Sequence, residues 1–215
     1  MASISCPCCI ILRGDRDFWR PVGSELKIVD TPLAGVVVVE LDRFDDARGW
    51  FMEAWNEERY RAAGLSLNFA QNNVSYSRRG VLRGMHFQSP NAQGKLVCVL
   101  SGVVFDAVVD VRLGSPTWGQ WYGCEISVEN RRQIWVPEGF AHGFLVMSED
   151  AVVHYSCTSP YHAGSDRTLA WDDPVVGINW PRKPEAMSPK DANAPGLREL
   201  SSRELPIFHE RRRTE

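Results

Sequence analysis

The chain has 215 residues and a formal net charge of −3, with 44% hydrophobic and 24% charged residues. That is room for one domain with a sizeable core, or one domain and a tail. The charge balance excludes a global basic field for nucleic acid or an anionic membrane, and no apolar run reaches the ~18 residues that span a bilayer.

Residues 1–25 mix Cys6, Cys8 and Cys9 with charged side chains and show no period, so they read as a poorly specified N-terminal extension. The C-x-C-C spacing matches no zinc pattern. Ile10 to Leu12 is too short an apolar run for a signal-peptide core. Cys98, Cys124 and Cys157 stand in apolar, strand-like surroundings, as reduced thiols do. A cytoplasmic protein is expected.

From Leu26 the pattern is strand-like. Thr31 to Gly35 reads as a turn, Val36 to Leu41 as a β-branched strand, Phe44 to Gly49 as a second turn and Trp50 to Trp55 as a further strand. Glu57 to Ala63 is the one convincing short helix, with Asn56 to cap it, acids in its first turn and Gly64 to end it. Strand-like runs follow at Phe69–Ser75, Lys95–Leu100, Val103–Val111, Trp121–Val128, Gln133–Val136, Gly143–Met147 and Val152–Cys157. Turn signals separate them about every ten residues, which predicts an all-β sandwich or barrel. After Trp171 the chain is proline-rich and reads as a wrapping segment. Ser188-Pro189-Lys190-Asp191 opens a short helix with serine as cap, proline first and an acid third, extending through Leu197 and Leu200. The basic Arg211-Arg212-Arg213 reads as a solvated tail.

The stretch Gly80 to Gln88, GVLRGMHFQ, concentrates the chemistry. If it is extended, Leu82, Gly84 and His86 share one face and Val81, Arg83 and Met85 the other. Gly84 leaves open space beside His86, and a kink or bulge there brings Arg83 round to the same side. An imidazole and a guanidinium at one open spot suit an anionic substrate undergoing proton transfer. The competing reading is an ordinary strand with a satisfied core histidine. No H-x-H pair and no HExxH occurs, so a metal site is not expected. There is also no nucleophile elbow, phosphate loop or dinucleotide fingerprint. Lys95 reads either as a solvated edge charge or as a cation for a developing oxyanion. His142 reads as a turn histidine or a site residue, Tyr155 as a core tyrosine or a general acid, and Asp191 as a helix cap or a partner for a histidine.

The ordered motifs DTPLAGV, FDDARGWFMEAW, QNNVSYS, GVLRGMHFQ, QGKLV, VFDAVVDVRLGSPTWGQW, PEGFAHGF, WDDPVVGINWP and SPKDA resemble the dTDP-4-dehydrorhamnose 3,5-epimerase (RmlC) family from about Leu26 to Asp191. The resemblance implies a cupin-like double-stranded β-helix, or jelly roll, with a few short peripheral helices. It would comprise residues 26–187, with 188–215 as a helical segment and tail packed on it. It implies a homodimer without metal or cofactor, acting on a dTDP-4-keto-6-deoxy sugar at C3 and C5. His86 then matches the base, Asp191 its partner, Lys95 the cation near the C4 oxygen and Tyr155 the proton donor on the opposite face. Arg48 and Arg83 match diphosphate contacts, and Tyr161 the ring that stacks on thymine. Glu53, Gln71, Asn72, Asn73, His142, Asp166 and Lys190 match further substrate contacts. Asp166 stands where glutamate is expected, and Met85 where leucine is. The alternatives are an epimerase acting at C3 or C5 alone, and a non-catalytic cupin that binds the nucleotide sugar.

Overall fold

The computed structural model describes residues 25–209. Most of Met1 to Glu25, with its three cysteines, and the Arg211–Arg213 cluster lie outside that range.

The strands are β1 (Lys27–Asp30), β2 (Val37–Glu40), β3 (Arg43–Asp46), β4 (Gly49–Met52), β5 (Gln71–Arg78), β6 (Leu82–Gln88), β7 (Lys95–Ser101), β8 (Val103–Asp110), β9 (Trp121–Ser127), β10 (Arg132–Val136), β11 (Phe140–Val146), β12 (Asp150–Cys157) and β13 (Asp166–Thr168). Two short helices, α1 (Glu57–Ala62) and α2 (Pro189–Ala192), join them. A six-stranded sheet runs β1-β2-β10-β7-β12-β5, and a five-stranded sheet runs β13-β6-β11-β8-β9. Every pairing between these strands is antiparallel, and β3 and β4 form a separate hairpin.

The expected jelly-roll architecture is what the chain adopts, and apolar patterning explains it. Strand alternation directs Val97, Val99 and Val153 from one sheet against Val104, Val108, Phe140 and Phe144 from the other, forming the core between the sheets. The outer face of the five-stranded sheet carries Met85, Phe87, Ala107, Val109 and Ala141, which pack on Leu169, Leu197, Leu200 and Leu205 of the C-terminal segment. The outer face of the six-stranded sheet packs Val37, Val39, Leu96 and Trp135 on Tyr60 of α1 and on Leu67. Strands covered on both faces therefore read as near-continuous apolar runs; β11 is buried at all seven positions.

The local signals at helix ends hold. Asn56 accepts from the Glu58 and Arg59 N–H groups, and Ser188 accepts from the Asp191 N–H. Other expectations are corrected. Phe44 to Gly49 is not one long turn, because Arg43–Asp46 and Gly49–Met52 pair as a hairpin with Ala47 and Arg48 at its tip. β11 begins at Phe140, so His142 lies in a strand and not in a turn. Helix α2 stops at Ala192, and Leu197 and Leu200 reach the core from turns.

Candidate active site

Strands of both sheets and one helix bring the chemistry together. On β6, His86 faces His142 of β11, and Arg83 faces Phe144. Three residues of β6 are therefore spanned by two steps of β11. The irregularity turns Arg83 to the face His86 occupies, as a bulge at Gly84 predicts. There the exposed Arg83 donates from Nε to Ser77 Oγ of β5 at 2.8 Å. Gly84 does not leave open space. A Cβ on it would fall 2.5 Å from Gly143 Cα and 2.9 Å from the His142 carbonyl oxygen, at φ +133°. The two glycines are there for a close approach of backbones.

His86 Nε2 lies 2.6 Å from Asp191 Oδ1, and Asp191 Oδ2 accepts from the Gly84 N–H at 3.4 Å. The Asp191 side chain is 3% exposed, whereas that of His86 is 37% exposed and accessible to a ligand. Burial works against the Asp191 carboxylate, but His86, the Gly84 N–H and Ser188 outweigh it and hold the group below its ordinary value. An ionised carboxylate on one ring nitrogen fixes the imidazole tautomer and strengthens the other nitrogen as a base. A second pair lies beside the first: His142 Nε2 is 2.8 Å from Asp106 Oδ2, both buried. Burial pushes the Asp106 carboxyl up against the opposing pull of His142. Asp106 was missed in the sequence, although an acid inside the apolar run Val103 to Val111 is itself a signal.

The opposite wall is the inner face of the six-stranded sheet. Tyr155 of β12 packs against the inter-sheet core, and burial raises its phenol above the ordinary value, which keeps it protonated. Lys95 opens β7 on the face of Val97 and Val99 and is only 7% exposed. It makes no ion pair with any described residue. Burial lowers its pKa against the pull of Cys157, Asp166, Asp106 and Glu138. Lys95 is therefore not a solvated edge charge. It is a buried amine whose charged form is disfavoured by burial and favoured by the acids around it.

The remaining candidates divide by position. Gln71 and Asn73 stand on the inner face of β5 and bond to each other, Nε2 to Oδ1, at 2.8 Å. Gln71 also accepts from the Tyr161 N–H at 2.8 Å. Asn72, by strand alternation, takes the outer face and accepts from Ser156 Oγ at 2.6 Å, away from this group. Tyr161 is exposed and donates its hydroxyl to Asp166 Oδ2 at 3.0 Å, and Lys190 donates to the same oxygen at 2.5 Å. Arg48 is at the hairpin tip with Asp46, and Glu53 accepts from Arg59 at 2.8 Å. Among the described residues, no group of three His, Cys, Asp or Glu side chains is arranged to hold a metal ion. No helix there is long and apolar enough to cross a membrane. A separate cleft of about 520 Å³, lined by Arg112, Glu138 and Phe208 among others, contains none of the candidate residues.

The arrangement can take a proton from one side of a ligand, return one from the other, and stabilise negative charge between. Known proteins agree with that chemistry. A family model described as dTDP-4-dehydrorhamnose 3,5-epimerase matches residues 30–199. A protein of that name from Methanothermobacter thermautotrophicus is 46% identical over 179 residues, covering 82% of this chain and 97% of its own length. Another, from Salmonella typhimurium, is 46% identical over 174 residues, covering 79% and 94%. The crystal structure of RmlC from Legionella pneumophila in complex with dTDP-4-keto-L-rhamnose superposes with a TM-score of 0.83 at 44% identity, covering 86% and 100%. ChmJ, a 3'-monoepimerase from Streptomyces bikiniensis in complex with dTDP-quinovose, superposes with a TM-score of 0.76 at 36% identity, covering 82% and 92%.

Proposed function

The chain belongs to the dTDP-4-dehydrorhamnose 3,5-epimerase family, and from that premise we propose how its residues divide the work. The enzyme inverts C3 and C5 of dTDP-4-dehydro-6-deoxy-D-glucose, giving dTDP-4-dehydro-L-rhamnose. The C4 ketone acidifies the hydrogens on both neighbouring carbons. His86, oriented by Asp191, removes each proton. Lys95 faces the C4 oxygen as it becomes an enolate, and the buried, unpaired ammonium is neutralised by the charge that develops. Tyr155 returns a proton on the other face. The observation that carries this reading is the placement of His86 on one sheet and of Tyr155 and Lys95 on the facing sheet, because inversion needs donor and acceptor on opposite sides of a flat intermediate.

Arg83 supplies a guanidinium for the diphosphate and Tyr161 an exposed ring for the base. Gln71, Asn73, His142, Asp166 and Lys190 complete the polar lining. Arg48 beside Asp46, Glu53 beside Arg59 and Asn72 beside Ser156 complete the substrate set in this reading. We read the enzyme as a cytoplasmic homodimer. The free thiols of Cys98, Cys124 and Cys157 support the compartment. The exposed Val74, Tyr76 and Leu100 on the outer face of the six-stranded sheet support the dimer.

The test is incubation with the 4-keto sugar in D₂O. Deuterium at both C3 and C5 is expected. Label at one carbon alone would make the chain a monoepimerase, the activity named for ChmJ. Binding of dTDP without exchange would make it a non-catalytic cupin.

A further inference from the structure

We infer that Lys190 is a positioning residue for the His86–Asp191 pair, a role that rests on the epimerase reading and goes beyond a substrate contact. Lys190 and Asp191 are consecutive residues of the four-residue helix α2. Asp191 reaches down to His86, and Lys190 reaches sideways to Asp166 of β13. Among the described residues, these two provide every side-chain hydrogen bond from α2 to the strands. The other side-chain bonds of this turn, Ser188 to the Asp191 N–H and Asn193 to the Pro189 carbonyl, are internal to it. Backbone bonds anchor the segment to the body only on either side, Leu82 to Ala186 and Ala170 to Pro195. A single helical turn between those anchors is oriented by its side-chain bonds, Asp191 to His86 and the Gly84 N–H and Lys190 to Asp166.

The Lys190 tether ends on a rigid support. Asp166 pairs with Gln88 across β6, and two residues later Thr168 pairs with His86 itself. The same Asp166 oxygen also accepts from Tyr161, whose backbone N–H is held by Gln71, which in turn holds Asn73. The mouth of the site is thus bounded by one chain of bonds, from Asn73 on the six-stranded sheet through Tyr161, Asp166 and Lys190 to the turn that presents Asp191. Cutting the Lys190–Asp166 link leaves the turn held to the strands by Asp191 alone, through His86 and the Gly84 N–H, and loosens the orientation of the imidazole.

The test is Lys190→Met, with Lys190→Arg and Asp166→Asn as companions. At saturating substrate, Lys190→Met should slow C3 and C5 exchange by about 10–100-fold, the cost of a small misplacement of a reacting group. Affinity for dTDP should stay within about fivefold, as for loss of an exposed ion pair. Lys190→Arg should restore the rate. Asp166→Asn should reproduce the defect, and the double variant should be no worse than either single one. A crystal structure of Lys190→Met should show the His86–Asp191 distance lengthened, and that readout holds whether or not the wild type proves to be an epimerase. An unchanged distance, additive defects, or a loss confined to dTDP affinity with normal turnover would each overturn the inference. Absence of exchange by the wild type would instead overturn the epimerase reading.

Discussion

His86 and Asp191 stand 105 positions apart in the chain, and their side chains meet at 2.6 Å. One comes from an interior strand of the five-stranded sheet and the other from a one-turn helix in the proline-rich segment that wraps back over it. The site therefore exists only when the C-terminal segment is docked, and Leu197, Leu200 and Leu205 dock it by joining the core on the outer face of the same sheet.

Replacing the proposed base tests the proposed division of labour most directly. His86→Asn should abolish exchange at both C3 and C5, a loss of at least ~10²-fold by the usual worth of a general base. Binding of dTDP, measured by calorimetry, should be nearly intact. Wild-type turnover in this variant would move the base elsewhere.

Asp191 links activity to acid stability. Its carboxylate is held below the ordinary value of 3.8 in the folded state. A depressed acid contributes stability that is full above the unfolded value and is lost as pH falls through the folded one. The stability gap between wild type and Asp191→Asn, read from urea melts, should be constant near neutrality and close below about pH 4. A gap that widened in acid would contradict the assignment.

Lys95 should show a trade between stability and activity. Burial disfavours its charged form, so a penalty to folding begins as pH falls below the ordinary 10.5 and is complete below the lowered folded value. Lys95→Met removes that charge in similar volume. The ligand-free protein should gain on the order of 1 kcal/mol, a few degrees in Tm. Turnover should fall by about 10²–10³-fold, as when an oxyanion donor is lost. A less stable, active variant would reverse the role given to this side chain.

Tyr155→Phe separates deprotonation from inversion. Burial keeps the phenol protonated, as a donor requires. Without it, solvent deuterium should still enter the sugar through His86, while formation of inverted product drops by about 10²-fold or more. Equal loss of both, followed by NMR, would assign Tyr155 to binding.

Gly143→Ala tests the close approach of backbones behind His86. The new Cβ would fall 2.6 Å from Met85 Sδ and 2.8 Å from the Arg83 carbonyl oxygen. The sulfur can move, but the backbone oxygen cannot without shifting β6. A cost of about 1–3 kcal/mol is expected in thermal melts, with slower exchange because His86 rides on the displaced strand. Unaltered stability would mean that the two strands separate freely.

Much of this molecule was legible before any coordinate. Asn56 and Ser188 announced their helices because capping is a bond between near neighbours. Val36 to Leu41 and Val103 to Val111 announced strands because β-branched apolar runs fit a pleated, covered surface. Trp50 to Trp55 announced β4, which ends earlier, at Met52, but its partner β3 was hidden because Arg43-Phe44-Asp45-Asp46 carries acids and an exposed aromatic and no core face marks it. Strand β13 was hidden because Asp166-Arg167-Thr168 has no apolar alternation of its own and is a strand only by pairing with β6. The candidate catalytic set was drawn from the ordered motifs, since spacing alone left Lys95, His142, Tyr155 and Asp191 with two readings each.

Sequence by itself determined the alternation of faces along an unbroken strand, because that alternation is local stereochemistry with period two; the irregularity that turns Arg83 to the face of His86 was set by pairing with β11. In β5 the same alternation leaves Gln71 and Asn73 on one face and Asn72 on the other. Only the tertiary structure decided which faces meet. It set Tyr155 and Lys95 opposite His86, buried Asp106 against His142, used Gly84 for close packing in place of open space, and carried Asp191 back to His86. Those encounters join residues far apart in the chain. The free energy that enforces them is the burial of three apolar clusters, and no window of neighbouring residues contains it.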